Sequence, residues 1–265
     1  MNKSKKYTNQ WTNEKFDDQQ VKMYDAKWYE KFEKNIKHKQ QIRLITKYLK
    51  SDMKWIDAPI GSGRLMDNIQ HPRENLFGLD LSDGFLNHNI SKGITCIKRD
   101  LFMMNLDNKF DFVTGLQTIF AFDDFKKILS NYIEILNEGG YLVTDIINLH
   151  MYDDFSMNNR PDHSVNVNGM KLEEIYSFFA SHNCEVCEVI KHDYFDSAKM
   201  LYWRNSGNRV IKKVKHLIWK TLNLFYFKLN LFSLFDIFQN KKKITLFNKF
   251  LVVVRKKRDK RPSYE

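Results

Sequence analysis

The residues best suited to chemistry stand together in one short stretch, Asp57-Ala-Pro59-Ile-Gly61-Ser62-Gly63. An apolar run precedes the acid and an amphipathic segment follows the second glycine, which is the order of a strand, a tight turn and a helix. Glycines in such a turn allow positive φ and let the backbone approach a ligand, while the N–H groups of the following helix face the same point. The stretch therefore predicts a ligand site.

Two further acids stand where other predicted strands end. Asp80 closes the apolar run at 75–80, and Asp100 follows the run at 93–98. Ligands of open α/β sheets bind beyond the carboxyl ends of the strands, so we expect these acids at the same site. A nicotinamide dinucleotide would favour a third glycine, but Met66 takes its place, so hydride transfer is weakly supported.

The elements that position these residues alternate along the chain. Beyond the strand that enters the glycine turn, the patterns predict strands at 75–80, 93–98, 110–117, 140–147, 184–195 and 247–254, and helices at 39–50, 123–136 and 171–181. This rhythm predicts an α/β protein with a doubly wound, Rossmann-like, mostly parallel sheet of seven strands.

Together these positions resemble class I S-adenosylmethionine-dependent methyltransferases, in the branch that acts on small molecules, glycans and lipids. The family's first motif is an acid, a spacer and GxG, seen here from Asp57 to Gly63 with Pro59 in the usual place of a glycine. Asp80 matches the acid that binds the ribose hydroxyls, and Asp100-Leu101 matches the pair that contacts the adenine. Further matches are the fourth-strand motif at 110–113, the turn at 136–140 and the antiparallel last strand at 249–254.

The resemblance implies S-adenosylmethionine as cofactor. The candidate cofactor-binding residues are Asp57, Pro59, Gly61, Ser62, Gly63, Asp80, Leu81, Asp100, Leu101, Gln117, Tyr24 and Trp28, of which the last two would close over the cofactor. Each acid also has a structural alternative, as a helix cap, a strand-end turn or an Asx-turn.

Methyl transfer from a sulfonium requires alignment of donor and acceptor and exclusion of water, and no covalent nucleophile. A hydroxyl acceptor would be helped by a general base. His150, after the fifth strand, is the first candidate, with Asp153 and Asp154 behind it; an ordinary loop histidine is the alternative. Cys184 and Cys187 form a CxxC pattern without a supporting His or Cys cluster, so no metal site is predicted.

The net charge of +11 has its origin at the C-terminal end, where residues 205–265 hold 16 Lys and Arg against 3 Asp and Glu. Within it, 208–243 combines basic residues with Leu and Phe, typical of a helical element at an anionic membrane surface. Packing on the domain, dimer formation and nucleic-acid binding are the alternatives.

The predicted organisation is an N-terminal helical lid, a methyltransferase core, a basic helical insertion, the final core strand and a basic tail, at 1–50, 51–197, 198–246, 247–256 and 257–265. Three cysteines and an N-terminus without an apolar core predict the cytoplasm, with a peripheral membrane position as the refinement. The expected function is methyl transfer to a small-molecule, glycan or lipid-linked acceptor. The alternatives are a nucleic-acid methyltransferase and a non-catalytic cofactor-binding protein of the same fold.

Overall fold

The computed structural model describes residues 32–150, 168–193, 204–229 and 247–258, together with Val21 and Met23. Four residues of the sequence predictions, Tyr24, Trp28, Asp153 and Asp154, lie outside the described residues. So do residues 230–246 of the predicted insertion and residues 259–265 of the predicted tail.

Eight strands and six α-helices make up the described regular structure. The strands are β1 (Trp55–Asp57), β2 (Leu76–Asp80), β3 (Thr95–Lys98), β4 (Phe110–Gly115), β5 (Leu136–Asn148), β6 (Gly169–Met170), β7 (Cys184–His192) and β8 (Lys249–Lys256). The helices are α1 (Phe32–Tyr48), α2 (Arg64–Asp67), α3 (Asp83–Ile90), α4 (Phe125–Glu134), α5 (Leu172–Ser181) and α6 (Arg209–Leu229). Short 3₁₀ turns follow β3, at Leu101–Met103, and β4, at Ile119–Ala121.

The strands form one sheet in the order β3-β2-β1-β4-β5-β8-β7, and the two-residue β6 pairs with β5 beside this path. Pairing is parallel from β3 to β5, with Asp57 of β1 opposite both Gly78 and Thr114. The order reverses between β1 and β4, which is the switch point where α/β sheets of this kind bind ligands. The predicted doubly wound, mostly parallel sheet of seven strands is confirmed, and β6 is an additional strand.

The direction of β8 follows from backbone hydrogen bonds at its two ends. The N–H of Lys257 donates to the carbonyl of Asn183, before β7, while the N–H of Asn248 donates to the carbonyl of Asp193, after β7. Ascending positions on one strand thus meet descending positions on the other, which is antiparallel pairing. This confirms the predicted antiparallel last strand.

Helix α1 packs on the sheet through the apolar face that the sequence predicted. Leu44 and Ile45 are buried with Trp55 of β1, and Ile42 and Tyr48 lie partly buried against the same cluster. Apolar residues recurring three and four positions apart produce such a face.

The chain divides into two compact units, one of Met1–Ile146, Leu172–Ile190 and Leu251–Glu265 and one of Ile147–Lys171 and Lys191–Phe250. Helix α6 belongs to the second unit and runs without interruption through the position where the sequence changes from Lys-rich to Leu- and Phe-rich. Among the helices in the described ranges, none combines the length and apolarity needed to cross a bilayer.

Candidate functional site

A cleft of about 360 Å³ lies at the carboxyl ends of β1, β2, β3 and β4. Its volume falls within the range of sites for small molecules and cofactors. The lining residues include nine of the twelve that the sequence proposed for cofactor binding: Asp57, Pro59, Gly61, Ser62, Asp80, Leu81, Asp100, Leu101 and Gln117. Residues separated by up to sixty positions in the sequence therefore surround one space, because parallel strands bring their carboxyl ends to one edge of the sheet.

Asp57, the last residue of β1, is almost fully buried at the base of this cleft. The Thr114 hydroxyl on β4 donates to its Oδ1 at 2.6 Å and accepts a 2.9 Å hydrogen bond from Nε1 of Trp55. Burial raises the pKa of Asp57 to about 7, against the opposing effects of the Thr114 hydrogen bond and the Arg64 charge. A positive charge placed beside Asp57 would lower this pKa and favour the ionised carboxylate.

Asp80, at the end of β2, holds the glycine turn in place. Its Oδ2 accepts from the N–H of Gly61 at 3.0 Å, and its Oδ1 accepts from the N–H of Ser82 at 3.0 Å. Burial raises the pKa of Asp80, and these backbone hydrogen bonds oppose the rise. A carboxylate has about four lone-pair sites, so Asp80 can still accept hydrogen bonds from a ligand in the cleft.

Glycine is suited to positions 61 and 63 of the turn for different physical reasons. Gly61 (φ 52°) and Gly63 (φ 77°) both adopt left-handed backbone, but a Cβ on Gly61 would meet nothing within 4 Å, whereas one on Gly63 would lie 1.9 Å from Oδ1 of Asn89. Asn89, on α3, donates from Nδ2 to the carbonyls of Gly61 (2.7 Å) and Phe85 (2.8 Å). Gly63 is therefore required by the packing of Asn89, and Gly61 leaves open space.

On the far side of the cleft, Asp100 and Leu101 follow β3. Oδ1 of Asp100 accepts from the N–H of Phe102 at 2.9 Å and so caps the 3₁₀ turn, which is the structural alternative considered for this residue. Its position in the lining leaves the second carboxylate oxygen available to a ligand donor.

Gln117 lies on the same rim, after β4, with a left-handed backbone (φ 62°). Its N–H donates to Oδ1 of Asp145 at 2.7 Å, which holds this conformation. A glutamine held at positive φ costs on the order of 1 kcal/mol, a strain found most often where a side chain or backbone must be aimed at a ligand.

The cleft also carries positive charge, because Arg64 and Arg99 line it together with the three acids. Burial first, and then the charge of Arg64, lowers the pKa of His38 on α1 to about 3, so this histidine is neutral in ordinary buffers.

His150 is not among the residues that line the cleft. It lies two residues after the end of β5, in the second unit, is exposed, and its backbone N–H donates to Oδ1 of Asn148 at 3.2 Å. Asp111, within the fourth-strand motif, accepts hydrogen bonds from the Lys54 N–H and from Nδ2 of Asn137, which is a structural role. No three His, Cys, Asp or Glu side chains within the described ranges are placed to hold a metal ion.

Sequence reasoning missed three residues that shape the cleft. At Asn89 and Thr114, no local pattern in the sequence separates a buried polar residue from an exposed one. Arg64 directly follows the GxG turn, and a charged residue at that position was a usable signal. The aromatic lining comes from Phe85, Phe120 and Phe122, which the sequence did not assign.

Part of the chain matches a known protein family. Residues 56–144 match the family described as a methyltransferase domain. No protein of curated function matches the chain by sequence. The matched segment, 56–144, runs from β1 to β5 and so spans the strand ends that form the cleft.

Several solved structures share the fold. An S-adenosylmethionine-dependent methyltransferase of Thermotoga maritima, described as a possible histamine N-methyltransferase, is 15% identical with a TM-score of 0.53, covering 91% of this chain and 97% of that one. A chain from the complex of the Haloferax volcanii Trm112 methyltransferase activator with a putative methyltransferase is 13% identical, with a TM-score of 0.57 and coverage of 92% and 96%. The N-methyltransferase NodS of Bradyrhizobium japonicum, in complex with S-adenosyl-L-homocysteine, is 10% identical, with a TM-score of 0.50 and coverage of 86% and 89%.

Proposed function

We propose that this chain is a class I S-adenosylmethionine-dependent methyltransferase that transfers the methyl group to a small-molecule, glycan or lipid-linked acceptor, a proposal supported by the methyltransferase domain matched at residues 56–144. The cofactor of this class is S-adenosylmethionine, and the cleft is where we place it. The observation that carries the assignment is the convergence of nine predicted cofactor residues, from four strand ends, on one cleft of about 360 Å³.

The charges of the cleft suit the parts of this cofactor. Asp80 would accept hydrogen bonds from the two ribose hydroxyls, and Asp100 with Leu101 would contact the adenine. Asp57 would face the positive charges of the methionine part, and Arg64 its carboxylate. Charged hydrogen bonds of this kind contribute about 1.5–3 kcal/mol each, so each acid is worth roughly tenfold to a hundredfold in affinity.

The protein's own contribution to methyl transfer is orientation and exclusion of water. The buried apolar residues Leu79, Leu101 and Leu116 line the cleft and keep its base dry. S-Adenosylmethionine supplies the electrophilic methyl group, and the acceptor supplies the nucleophile. For a hydroxyl acceptor, His150 is the proposed general base, which would take the hydroxyl proton as the bond from the acceptor oxygen to the methyl carbon forms and the bond from that carbon to sulfur breaks.

The acceptor class rests on two supports of different kinds. The Thermotoga protein is described as a possible histamine N-methyltransferase, histamine being a small molecule, and the Bradyrhizobium protein as an N-methyltransferase. The excess of Lys and Arg in residues 205–265 suits work beside an anionic membrane, where lipid-linked acceptors are found. A peripheral membrane position is therefore part of the proposal.

The ribose assignment of Asp80 is tested by calorimetry with S-adenosylhomocysteine and a deoxy analogue that lacks both the 2′- and the 3′-hydroxyl of the ribose. Asp80→Asn should weaken binding of S-adenosylhomocysteine about thirtyfold, because a charged acceptor becomes neutral. The same variant should bind the deoxy analogue nearly as the parent protein does. Asp83→Ala is the matched control, since Asp83 is an exposed acid paired with Lys98 outside the cleft lining.

Equal losses with both ligands would mean that Asp80 acts only by holding the Gly61 turn, and would refute the ribose contact. No binding of either ligand to the parent protein would refute the cofactor assignment itself. Incubation of cell extracts with methyl-labelled S-adenosylmethionine, with and without the protein, then identifies the acceptor, with Asp80→Asn as the reference of reduced activity.

A further inference from the structure

Helix α6 turns an apolar face outward. Its exposed large hydrophobic residues, with their exposed fractions, are Val210 (70%), Ile211 (45%), Val214 (53%), Leu217 (65%) and Ile218 (46%). At about 100° per residue these five fall within one arc of the helix, roughly a third of its circumference. We call this arc the aliphatic face. Helices of globular proteins ordinarily turn such a face inward, so this one is available to a partner.

The opposite side of α6 is anchored to its own unit. Trp219, on the side away from the aliphatic face, is 1% exposed. The His216 ring stacks on its ring with centroids 5.8 Å apart, and the guanidinium of Arg204 lies 5.2 Å from its centroid. Because Trp219 is buried on that side, the aliphatic face lies on the side of α6 away from its buried tryptophan.

Basic side chains flank the aliphatic face along both edges. Lys213 and Lys220 lie on one edge and are exposed, with Arg209 next to them. Lys215 lies on the other edge, where its Nζ donates to Oγ of Ser206 at 2.6 Å. Residues 204–229 contain no Asp or Glu, so no acid of this segment offsets these charges.

We infer that α6 is an in-plane membrane helix, whose aliphatic face enters the headgroup and acyl boundary of an anionic bilayer while Lys213 and Lys220 reach the lipid phosphates. The aliphatic face consists of Val, Ile and Leu, which suit acyl chains, and its five residues include none of the aromatic or guanidinium planes on which nucleic-acid bases stack. A second copy seated on the same face would bring equal lysine edges together, and like charges oppose such a contact. An anionic lipid surface satisfies both the apolar arc and its basic edges.

This inference specifies the membrane contact of the proposed function. It rests on that function only for its purpose, which is access to a lipid-linked acceptor. The physical requirement it meets is the one for peripheral proteins generally, since apolar insertion and electrostatic attraction each give weak attachment and together give a stable one.

The test is flotation of the full chain with vesicles of equal parts phosphatidylcholine and phosphatidylglycerol, compared with vesicles of phosphatidylcholine alone. We expect binding to the anionic vesicles at low salt and its release at high salt. Val214→Gln/Leu217→Gln should lower the partition coefficient about tenfold by removing apolar burial. Lys213→Gln/Lys220→Gln should lower it about thirtyfold by removing two charges that attract the anionic surface.

Two double variants elsewhere serve as matched controls. Ile90→Gln/Tyr176→Gln removes exposed apolar side chains and Lys126→Gln/Lys127→Gln removes exposed charges, and both should float like the parent protein. Affinity for S-adenosylhomocysteine should be unchanged in all four variants, so a failure of the cofactor assignment is recognised separately. Val214→Gln/Leu217→Gln could lower the helical circular dichroism and so lose binding through unfolding. Lys213→Gln/Lys220→Gln keeps the apolar packing of the parent protein, so in that case its flotation result tests the membrane contact.

Three outcomes would overturn the inference. The first is no flotation with anionic vesicles at low salt. The second is binding of single-stranded RNA in place of vesicles, lost in the lysine variant. The third is a dimer seen by sedimentation that Val214→Gln/Leu217→Gln dissociates, without any vesicle binding.

Discussion

Asp57 makes cofactor affinity depend on pH in a direction that the structure decides. Burial raises its pKa to about 7 in the free protein. A positively charged methionine part beside the carboxyl group would return the pKa toward its ordinary value of 3.8. Below about pH 7 the free protein then carries a proton at Asp57 that the complex does not. Binding therefore releases a proton, and affinity for S-adenosylmethionine should increase as the pH rises.

The size of the effect follows from the two pKa values. Full return of the pKa to 3.8 makes the association constant rise roughly tenfold between about pH 5.5 and about pH 7, after which the curve flattens. His38, neutral because its pKa is about 3, adds nothing in this window. Asp57→Asn removes the titrating group without changing its shape, and should give a flat profile.

Titration calorimetry at several pH values, in buffers of different ionisation enthalpy, measures both the affinity and the protons released. We expect close to one proton released per cofactor bound near pH 6 in the parent protein and none from this site in Asp57→Asn. Identical slopes in the two proteins, or a parent profile without slope, would refute the assignment of the cofactor's positive charge to Asp57.

The raised pKa of Asp57 also predicts how the stability of the cofactor-free protein depends on pH. Because the folded pKa lies above the unfolded one, stability is fully kept below about pH 4 and falls as the pH rises through about 7. A difference of about three between the pKa values corresponds to about 4 kcal/mol. Asp57→Asn should therefore unfold at higher urea than the parent at pH 8, by up to that amount, and no later than the parent at pH 4.

Two further predictions concern the supports of the cleft. Gly63→Ala should lower the free energy of unfolding by at least about 3 kcal/mol, because the new Cβ would lie 1.9 Å from Asn89 Oδ1 at a residue with φ 77°. Gly93→Ala is the control, since Gly93 also has positive φ but a Cβ there meets nothing within 4 Å, and it should cost about 1 kcal/mol. Equal losses of the two variants in urea unfolding would contradict the clash. Thr114→Val removes the hydroxyl that donates to Asp57, so the pKa of Asp57 should rise further and the pH profile of cofactor affinity should move to higher pH. The Trp55 N–H loses its acceptor in this variant, which should cost about 1–2 kcal/mol of stability. An unmoved pH profile would show that the Thr114 hydrogen bond does not affect the pKa of Asp57.

The sequence predicted the sheet well because its signals are local and repeat. Alternation of apolar strands with amphipathic helices, punctuated by glycine turns, leaves few topologies open, and the acids after β1, β2 and β3 follow directly from strand ends. The bounds were less accurate: β5 begins at Leu136, four residues before the prediction, and β8 runs two residues further than expected. Strand ends depend on partners far away in the chain, which no local pattern reports.

By itself, the sequence determined the order of elements, the carboxyl ends at which chemistry would gather and the excess of positive charge in residues 205–265. Only the tertiary structure decided that Asn89 leaves no room for a side chain at residue 63, that Thr114 donates a hydrogen bond to the buried Asp57, and that α6 turns its aliphatic face outward. The physical reason is common to all three. Steric exclusion, burial and the rotation of a helix are set by neighbours from distant segments, and such contacts exist only once the chain has folded.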